Sequence, residues 1–456
     1  LKRFDEALAH FDKALVLKPD YAEAWSNKGT VLNELKRFDE ALICHNQALA
    51  LKSDVDWALG DLLHVGMKIC LWDQFQQNLQ KLVSQIRFGQ RSTIPFPLLA
   101  LIDDPALHQQ SSQIYLQDKY PFNPALGLIA KSPPKAKIRV GYFSADFRDH
   151  PVSFLLAELF ERHDRAHFEV IAFSSGPDDK SPMRYRLQQA FDQFIDIQAM
   201  SDRAAAQLAR DMGVDIAVDL GGFTAGNRLG IFAYRAAPIQ LSYIGYLGTI
   251  GAQYIDYLVA DKTLIPQGSE QYYSEKIIYL PSYQVNDGRR SIADRRFTKA
   301  ELGLPETGFV FACFNNSYKI LPKTFDGWMR ILSAVKGSVL FLYADSKRVE
   351  ENLRKEAQAR GVDGQRLVFG KHLSTEEYLA RYRACDLFLD TTPYNAGTTA
   401  SDALWAGLPV LTLMGKSFAS RYAASLLNAI EIPELITHTQ EQYENLAIEL
   451  ASNKQK

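Results

Sequence analysis

A glycine-containing turn, Asp390–Asp402, holds the residues best suited to chemistry, and it reads D-T-T-P-Y-N-A-G-T-T-A-S-D. It follows a short predicted strand and opens a predicted helix at Thr399–Ala406. Such a turn presents backbone N–H groups and the positive end of a helix dipole, which together bind phosphate. The hydroxyls of Thr398 and Thr399 could add donors, and Asp402 could accept from ribose hydroxyls. The alternative is an ordinary helix cap made by a threonine and an acid three residues later.

A lysine near the end of another predicted strand is the second candidate. Lys319 lies in F-N-N-S-Y-K-I, directly after the predicted strand Phe309–Phe314. Ligands of open α/β sheets bind beyond the carboxyl ends of the strands. An ammonium group placed there could neutralise a leaving diphosphate. The alternative is a lysine in a solvated loop.

A histidine in the segment S-A-D-F-R-D-H-P-V-S is the third candidate, after the predicted strand Ile138–Phe143. Because His150 precedes a proline, we expect it at the start of a helix and not inside one. Its imidazole could act as a base, bind substrate or cap the helix. Three carboxylates in this half of the chain are further candidate proton acceptors, namely Asp146, Asp149 and Asp219.

Two glycine-rich turns follow predicted strands of the same region. One is Asp219–Thr224, and the other, Gly245–Gly251, contains Gly248 and Thr249. Glycine allows a ligand to approach the backbone closely. Each turn is a weak signal when taken alone.

Strands and helices alternate along most of the chain, which positions these candidates. The alternation predicts two doubly wound parallel sheets. We place one half at residues 135–288 and the other at 297–456, joined by a polar stretch, with the site in the cleft between them. Neither G-x-G-x-x-G after a strand nor the P-loop pattern occurs, which argues against dehydrogenases and P-loop NTPases.

The N-terminal segment is repetitive. The string L-K-R-F-D-E-A-L occurs at residues 1–8 and again at 35–42. This 34-residue offset is the length of the tetratricopeptide (TPR) repeat, which binds proteins through its concave face. We therefore assign residues 1–54 to the end of a longer TPR array. Residues 55–134 are predicted as a helical connector with a loop at Ser92–Pro97, and the connector ends at the proline pair 133–134.

The composition excludes several classes of protein. The 456 residues carry a net charge of −2, so no basic field attracts nucleic acid or an anionic membrane. No apolar run reaches the length of about 20 residues that spans a bilayer. The four cysteines are scattered, and no acidic or Cys/His cluster has the spacing of a metal site, so we predict no metal and a cytoplasmic, reducing location.

Four motifs together resemble one family, the O-linked N-acetylglucosamine transferases with their plant SPINDLY-type relatives. They are D-F-x-x-H-P-x-S, P-I-Q-x-x-x-x-G-Y-x-G-T-x-G, F-N-N-x-Y-K-I-x-P and G-T-T-x-x-D-A-L-W-A-G-x-P, in the family's order. The resemblance implies TPR repeats followed by a GT-B fold of two Rossmann-like domains, an α plus α/β class. It also implies an inverting mechanism that needs neither a metal nor another cofactor. The joint between the halves is too short for the long insert of the animal members, as expected of a bacterial-type member.

The resemblance also implies roles for individual residues. Lys319 matches the essential lysine on the donor diphosphate, Asn316 a phosphate contact, and Thr398–Thr399 the phosphate-binding threonines. Asp402 matches the ribose-binding aspartate. His150 matches the active-site histidine near the sugar and the acceptor.

Three positions depart from the animal members. Thr375 stands in place of a nucleotide-binding lysine, Tyr378 in place of a histidine beside the base, and Gly397 in place of a histidine near the sugar. We include these three, with Gly248 and Thr249, among the donor-binding candidates. The expected reaction transfers N-acetylglucosamine from UDP-GlcNAc to Ser or Thr of polypeptides held by the repeats and the cleft. The alternatives are a protein O-fucosyltransferase using GDP-fucose, a glycosyltransferase with a small-molecule or glycan acceptor, and a TPR scaffold with a degenerate transferase domain.

Overall fold

A computed structural model of the chain describes residues 3–129 and 135–453. The chain divides into two compact units. One unit combines Leu1–Leu107 with Ile292–Lys456, and the other is His108–Ser291. The division falls inside the segment predicted as connector. The proline pair predicted to end that connector lies outside the described residues.

The N-terminal segment is helical. Its helices are α1 (Phe4–Leu17), α2 (Ala22–Glu34), α3 (Phe38–Leu51), α4 (Ala58–Lys68), α5 (Phe75–Arg87), α6 (Pro95–Leu101) and α7 (Pro105–Lys119). Helices α1 and α3 start at the offset of the sequence repeat. Gly29 lets α2 and α3 approach, since a Cβ there would lie 2.8 Å from Nε2 of His45. The loop predicted at Ser92–Pro97 is wrong from Pro95 onward, because a proline in the first turn starts a helix as readily as it ends one.

The unit His108–Ser291 contains an all-parallel, seven-stranded sheet. Its elements are β1 (Ile138–Ser144), α8 (Pro151–Glu161), β2 (Phe168–Ser174), α9 (Pro182–Ala190), β3 (Gln193–Asp196), α10 (Asp202–Asp211), β4 (Ile216–Asp219), α11 (Leu229–Ala233), β5 (Ile239–Ser242), β6 (Tyr257–Ala260) and β7 (Lys276–Tyr279). The strand order is β3-β2-β1-β4-β5-β6-β7. The order reverses between β1 and β4, so loops after these two strands flank the point where such sheets bind ligands.

The C-terminal half contains a second all-parallel sheet, of six strands. Its elements are β8 (Val310–Cys313), α12 (Pro322–Ala334), β9 (Val339–Tyr343), α13 (Lys347–Ala359), β10 (Leu367–Gly370), α14 (Thr375–Arg381), β11 (Leu387–Leu389), α15 (Thr398–Trp405), β12 (Val410–Leu413), α16 (Tyr422–Ala429), β13 (Ile436–Thr437) and α17 (Gln440–Ser452). The order is β10-β9-β8-β11-β12-β13 and reverses between β8 and β11. Buried aromatic residues such as Phe311, Phe341 and Phe388 fill the core around this reversal.

The N-terminal segment contacts the helices and loops of this C-terminal half within one unit. The Nδ2 of Asn352, on α13, donates to the backbone carbonyl of Ile69 at 2.7 Å. The carboxylate of Asp103 accepts from the backbone N–H groups of Lys416 and Ser417 at 2.8 Å. The segment up to Leu107 is therefore part of the C-terminal half's own architecture.

Candidate functional site

The reversal between β8 and β11 brings the two best sequence signals together. The two strands pair in parallel, with Leu387 opposite Phe311. Lys319 ends a short 3₁₀ turn after β8, and its Nζ donates to the carbonyl oxygen of Asn395 at 3.0 Å. Asn395 belongs to the turn that follows β11. The lysine and the predicted phosphate loop therefore form one site.

Burial controls the charge state of Lys319. The residue is 9% exposed, and its Nζ lies 3.7 Å from the ring centre of Tyr394. Burial lowers the pKa of Lys319 to about 8, and the nearby Asp390 and Cys313 oppose that shift. At neutral pH the side chain is therefore mostly protonated. An ammonium group has three donors, and the carbonyl of Asn395 occupies one of them.

Asp390 organises the loop that Lys319 contacts. Its Oδ1 accepts from the backbone N–H groups of Thr391 and Ala396, each at 2.7 Å, and its Oδ2 accepts from the hydroxyl of Thr412 at 2.6 Å. Burial raises the pKa of this carboxyl to about 7. The hydrogen bonds close the turn on itself and fix the position of the carbonyl that receives the lysine.

Asn315 connects the strand end to both sides of the phosphate loop. Its Nδ2 donates to the hydroxyl of Thr391 at 2.7 Å, and its Oδ1 accepts from the hydroxyl of Thr399. The hydroxyl hydrogen of Thr399 is therefore committed within the protein. A phosphate at the start of α15 would meet the backbone N–H of Thr399, whereas the sequence suggested its hydroxyl as a donor.

The first turn of α15 is shaped by Gly397. Its N-cap residue is Gly397, which has no side chain to cap the helix, and the N–H groups of a first helical turn suit an anion. A Cβ on Gly397 would lie 2.9 Å from the ring of Tyr422. The aromatic ring thus explains why a histidine does not fit at this position. Thr398 begins the helix, and Asp402 is buried one turn further along.

The remaining candidates of this half lie on α14 and after β8. The hydroxyl of Tyr378 is 2.6 Å from that of Tyr382, and its ring lies 6.1 Å from Phe314 at the end of β8. Tyr378 is thus beside the site. Thr375, the first residue of α14, and Asn316, which precedes the 3₁₀ turn, are both exposed.

His150 caps the helix that begins at the following proline. Its Nδ1 accepts from the backbone N–H of Val152 at 3.3 Å. A neutral ring in this arrangement carries its proton on Nε2, which lies 3.6 Å from Oδ1 of Asp146. Burial lowers the pKa of His150. In this tautomer neither ring nitrogen is poised to take a proton from a substrate.

Asp219 is the last residue of β4, which lies next to β1 where the strand order of the seven-stranded sheet reverses. Its two carboxylate oxygens accept from the backbone N–H groups of Gly221 at 3.0 Å and Gly222 at 2.9 Å. Burial raises the pKa of this carboxyl to about 6. The glycine-rich turn therefore presents a carboxylate that titrates near neutral pH.

Thr249 serves the packing of its own half. It is buried, and its hydroxyl donates to Oε2 of Glu275 at 2.6 Å. It also accepts from the backbone N–H of Gly251 at 3.0 Å. Gly248 and Thr249 belong to the unit His108–Ser291, whereas the phosphate loop belongs to the other unit. Their assignment to the donor stays a prediction.

Sequence reasoning missed the residues that hold Lys319 and the loop in place. Asn315, Asp390, Tyr394 and Asn395 lie inside the motifs that were singled out but received no role. A polar residue directly after a buried strand is the signal that could have found Asn315 and Asp390.

Among the described residues, neither a metal-binding cluster nor a membrane-spanning helix is present. Within 3–129 and 135–453, no group of three or more His, Cys, Asp or Glu side chains is placed to hold a metal ion. Over the same residues, no helix has the length and apolar character needed to cross a bilayer.

The chain is similar to known glycosyltransferases. The sequence profile of glycosyl transferase family 41 matches residues 111–297 and 295–456. A protein of Arabidopsis thaliana named "probable UDP-N-acetylglucosamine–peptide N-acetylglucosaminyltransferase SEC" is 35% identical over 417 residues, which are 87% of this chain and 43% of that protein. The SPINDLY protein of Solanum lycopersicum, named for the same probable activity, is 31% identical over 328 residues, which are 70% of this chain and 35% of that protein.

A solved structure agrees over almost the whole chain. A mutant of the O-GlcNAc transferase of Thermobaculum terrenum matches with a TM-score of 0.79 at 27% sequence identity, covering 99% of this chain and 90% of that one. This match confirms the predicted fold class. The chain spans less than half the length of the two curated plant relatives.

Proposed function

Because the chain belongs to glycosyl transferase family 41, we propose that it is an inverting, metal-independent protein O-glycosyltransferase. It moves N-acetylglucosamine from UDP-GlcNAc to Ser or Thr of polypeptides. One observation carries the proposal: the buried ammonium group of Lys319 contacts the loop that leads into the start of α15, where the N-cap residue is a glycine. A cation and a helix start next to each other suit a diphosphate leaving group.

The proposed step is a single displacement. The acceptor hydroxyl attacks the anomeric carbon on the face opposite the diphosphate. The new C–O bond forms while the bond to the β-phosphate oxygen breaks, and the electron pair of that bond leaves with UDP. Lys319 and the first N–H groups of α15 stabilise the negative charge that develops on the departing diphosphate. No cofactor takes part in this step.

The acceptor proton needs a base. The Nδ1 of His150 already accepts from Val152, which favours a positioning role for this histidine near the sugar and the acceptor. Asp219 has a pKa of about 6 and is mostly ionised at neutral pH. It is the better candidate proton acceptor among the carboxylates of that half.

UDP-GlcNAc is the favoured donor because it stands in the names of both plant relatives, the SPINDLY protein included. GDP-fucose is the second candidate, and it rests on the substituted positions Thr375, Tyr378 and Gly397. A degenerate scaffold is disfavoured by the intact lysine, threonine pair and Asp402. We propose polypeptide acceptors, which the repeats would hold, and a cytoplasmic location, which the four free thiols support.

A donor assay tests the proposal. Purified protein is incubated with radiolabelled UDP-GlcNAc or GDP-fucose and with a mixture of polypeptides, and the Lys319→Ala variant serves as the control. We expect alkali-labile label on Ser or Thr from UDP-GlcNAc only, with inverted anomeric configuration. Label from GDP-fucose alone would overturn the donor assignment. Label from neither donor would leave the scaffold alternative.

A further inference from the structure

Aromatic rings from the N-terminal helices reach the residues that hold Lys319. Phe96, on α6, has its ring centre 6.0 Å from that of Tyr318 and 6.2 Å from that of Tyr394. The two tyrosines are 6.3 Å apart. His64, on α4, lies 5.6 Å from Tyr318 in an edge-to-face arrangement. We call these four residues the aromatic box. The Nζ of Lys319 lies over the ring of one of them, Tyr394, at 3.7 Å from its centre.

Polar contacts fasten α4 to the turn that carries the lysine. The hydroxyl of Ser317 donates to the backbone carbonyl of Lys68, the last residue of α4, at 2.6 Å. The Sγ of Cys70 lies 3.8 Å from the carbonyl oxygen of Ser317. The N-terminal helices therefore contact the 3₁₀ turn at two adjacent residues, at Ser317 by these polar contacts and at Tyr318 through the aromatic box.

We propose that Phe96 and His64 are positioning residues for Lys319, so that the segment α4–α6 completes the donor site. The proposal rests on the proposed function only for the identity of the ligand that Lys319 meets. The sequence predicts only a helical connector for this segment. We infer that it also keeps Lys319 in the position needed for the reaction.

The physical argument starts from Tyr394. A cation over an aromatic face is held by the ring's quadrupole, and the attraction grows when water is excluded. Phe96 packs against that ring and against Tyr318 at distances typical of favourable aromatic pairs. Loss of the Phe96 ring would free Tyr394 to turn and would admit water to the ammonium group.

The charged and titratable groups facing Lys319 are few among the described residues. Asp390 and Cys313 both act on it, and each opposes the lowering of its pKa by burial. Burial lowers the pKa of His64 to about 3, so His64 is a neutral ring at physiological pH. Water entering the box would weaken the burial effect and raise the pKa of Lys319 toward the range of an ordinary lysine.

Competitive acetylation tests the proposal without a donor. The whole protein is labelled with trace acetic anhydride over a pH series, and the peptide containing Lys319 is quantified by mass spectrometry. In the Phe96→Leu variant we expect the titration midpoint of Lys319 at higher pH. Above that midpoint, where the amine is unprotonated in every variant, we expect its reactivity to be about threefold higher or more, because water and reagent reach it more easily. Phe96→Tyr keeps a ring and should behave like the parent protein. Phe88→Leu removes a phenylalanine that is 82% exposed and is the matched control.

His64→Leu is the second variant, and it decides the outcome if Phe96→Leu does not fold. A midpoint at higher pH with raised reactivity of the unprotonated amine in Phe96→Leu or His64→Leu, and neither change in Phe96→Tyr and Phe88→Leu, supports the proposal. An unchanged rate and midpoint in the folded leucine variants overturn it. Failure of the proposed function shows instead as absence of transfer by the parent protein, on which the labelling does not depend.

Discussion

Replacement of Lys319 by alanine should nearly abolish transfer and leave the fold intact. The ammonium group is positioned by Asn395 and Tyr394 before any ligand binds, which is the condition for strong stabilisation of a leaving group. One such preorganised contact is worth about 10²–10³ in rate, or about 2.7–4 kcal/mol. We therefore expect turnover of the Lys319→Ala variant to fall by at least about a hundredfold.

The thermal stability of the Lys319→Ala variant shows whether a loss of turnover comes from lost chemistry or from unfolding. The pKa of Lys319 is lowered to about 8 in the folded protein, so the unfolded chain binds more protons between pH 8 and the ordinary lysine range. Stability contributed by this group therefore rises as pH increases through that window. Lys319→Ala lacks this rise, and it also removes a buried charge at neutral pH. We expect its Tm near pH 7 to match or exceed that of the parent protein.

The assay follows initial rates of label transfer over a pH series, with Lys323→Ala as control because Lys323 is exposed in the first turn of α12. The parent protein should lose kcat/KM as pH rises through the pKa of Lys319, since the free enzyme then loses its cation. The alanine variant should lack this basic limb. A folded Lys319→Ala variant that keeps more than about a tenth of the turnover would refute the assigned role.

Three further outcomes are expected. Turnover should survive EDTA, because Lys319 and the start of α15 replace a metal, and loss restored by Mg²⁺ or Mn²⁺ would contradict this. His150→Ala should raise a KM and keep the acidic limb of kcat, whereas unchanged KM values with kcat about a thousandfold lower and no acidic limb would make His150 the base. Asp390→Asn removes the charge that favours protonated Lys319, so the basic limb of kcat/KM should move to lower pH; an unmoved limb would separate Asp390 from the lysine.

The sequence was most informative where burial leaves a continuous apolar run. The strands Ile138–Ser144, from Val140 onward, and Leu387–Leu389 are buried on both faces, and their predicted positions are confirmed within one residue. The polar motifs come directly after these apolar runs in the sequence. Their position at the carboxyl ends of the strands could therefore be predicted as well. The meeting of Lys319 with the turn after β11 is a consequence of that topology.

Side-chain partners could not be predicted in the same way. The bond from Thr399 to Asn315 and the cap that His150 makes depend on rotamers and on atoms brought together only by the folded chain. The sequence pattern predicts a loop at Phe96, whereas the residue lies in α6 beside Tyr318. No local pattern connects two residues so far apart in the chain, so the aromatic box is visible only in three dimensions.

At both reversals of strand order, a side chain that the motifs suggest as a ligand contact instead bonds another group of the protein. At α15 the hydroxyl of Thr399 serves Asn315, and at α8 the imidazole of His150 serves the backbone of Val152. Two side chains that the motifs suggest as substrate contacts thus make hydrogen bonds inside the protein, one to a side chain and one to the backbone. At Thr399 the group left to meet an anion is then the backbone N–H, whose direction is set by the helix and not by the rotamer of the threonine. The position of Thr399 is therefore set by Asn315, and the turn before it is held by Asp390, so both buried residues support the phosphate loop.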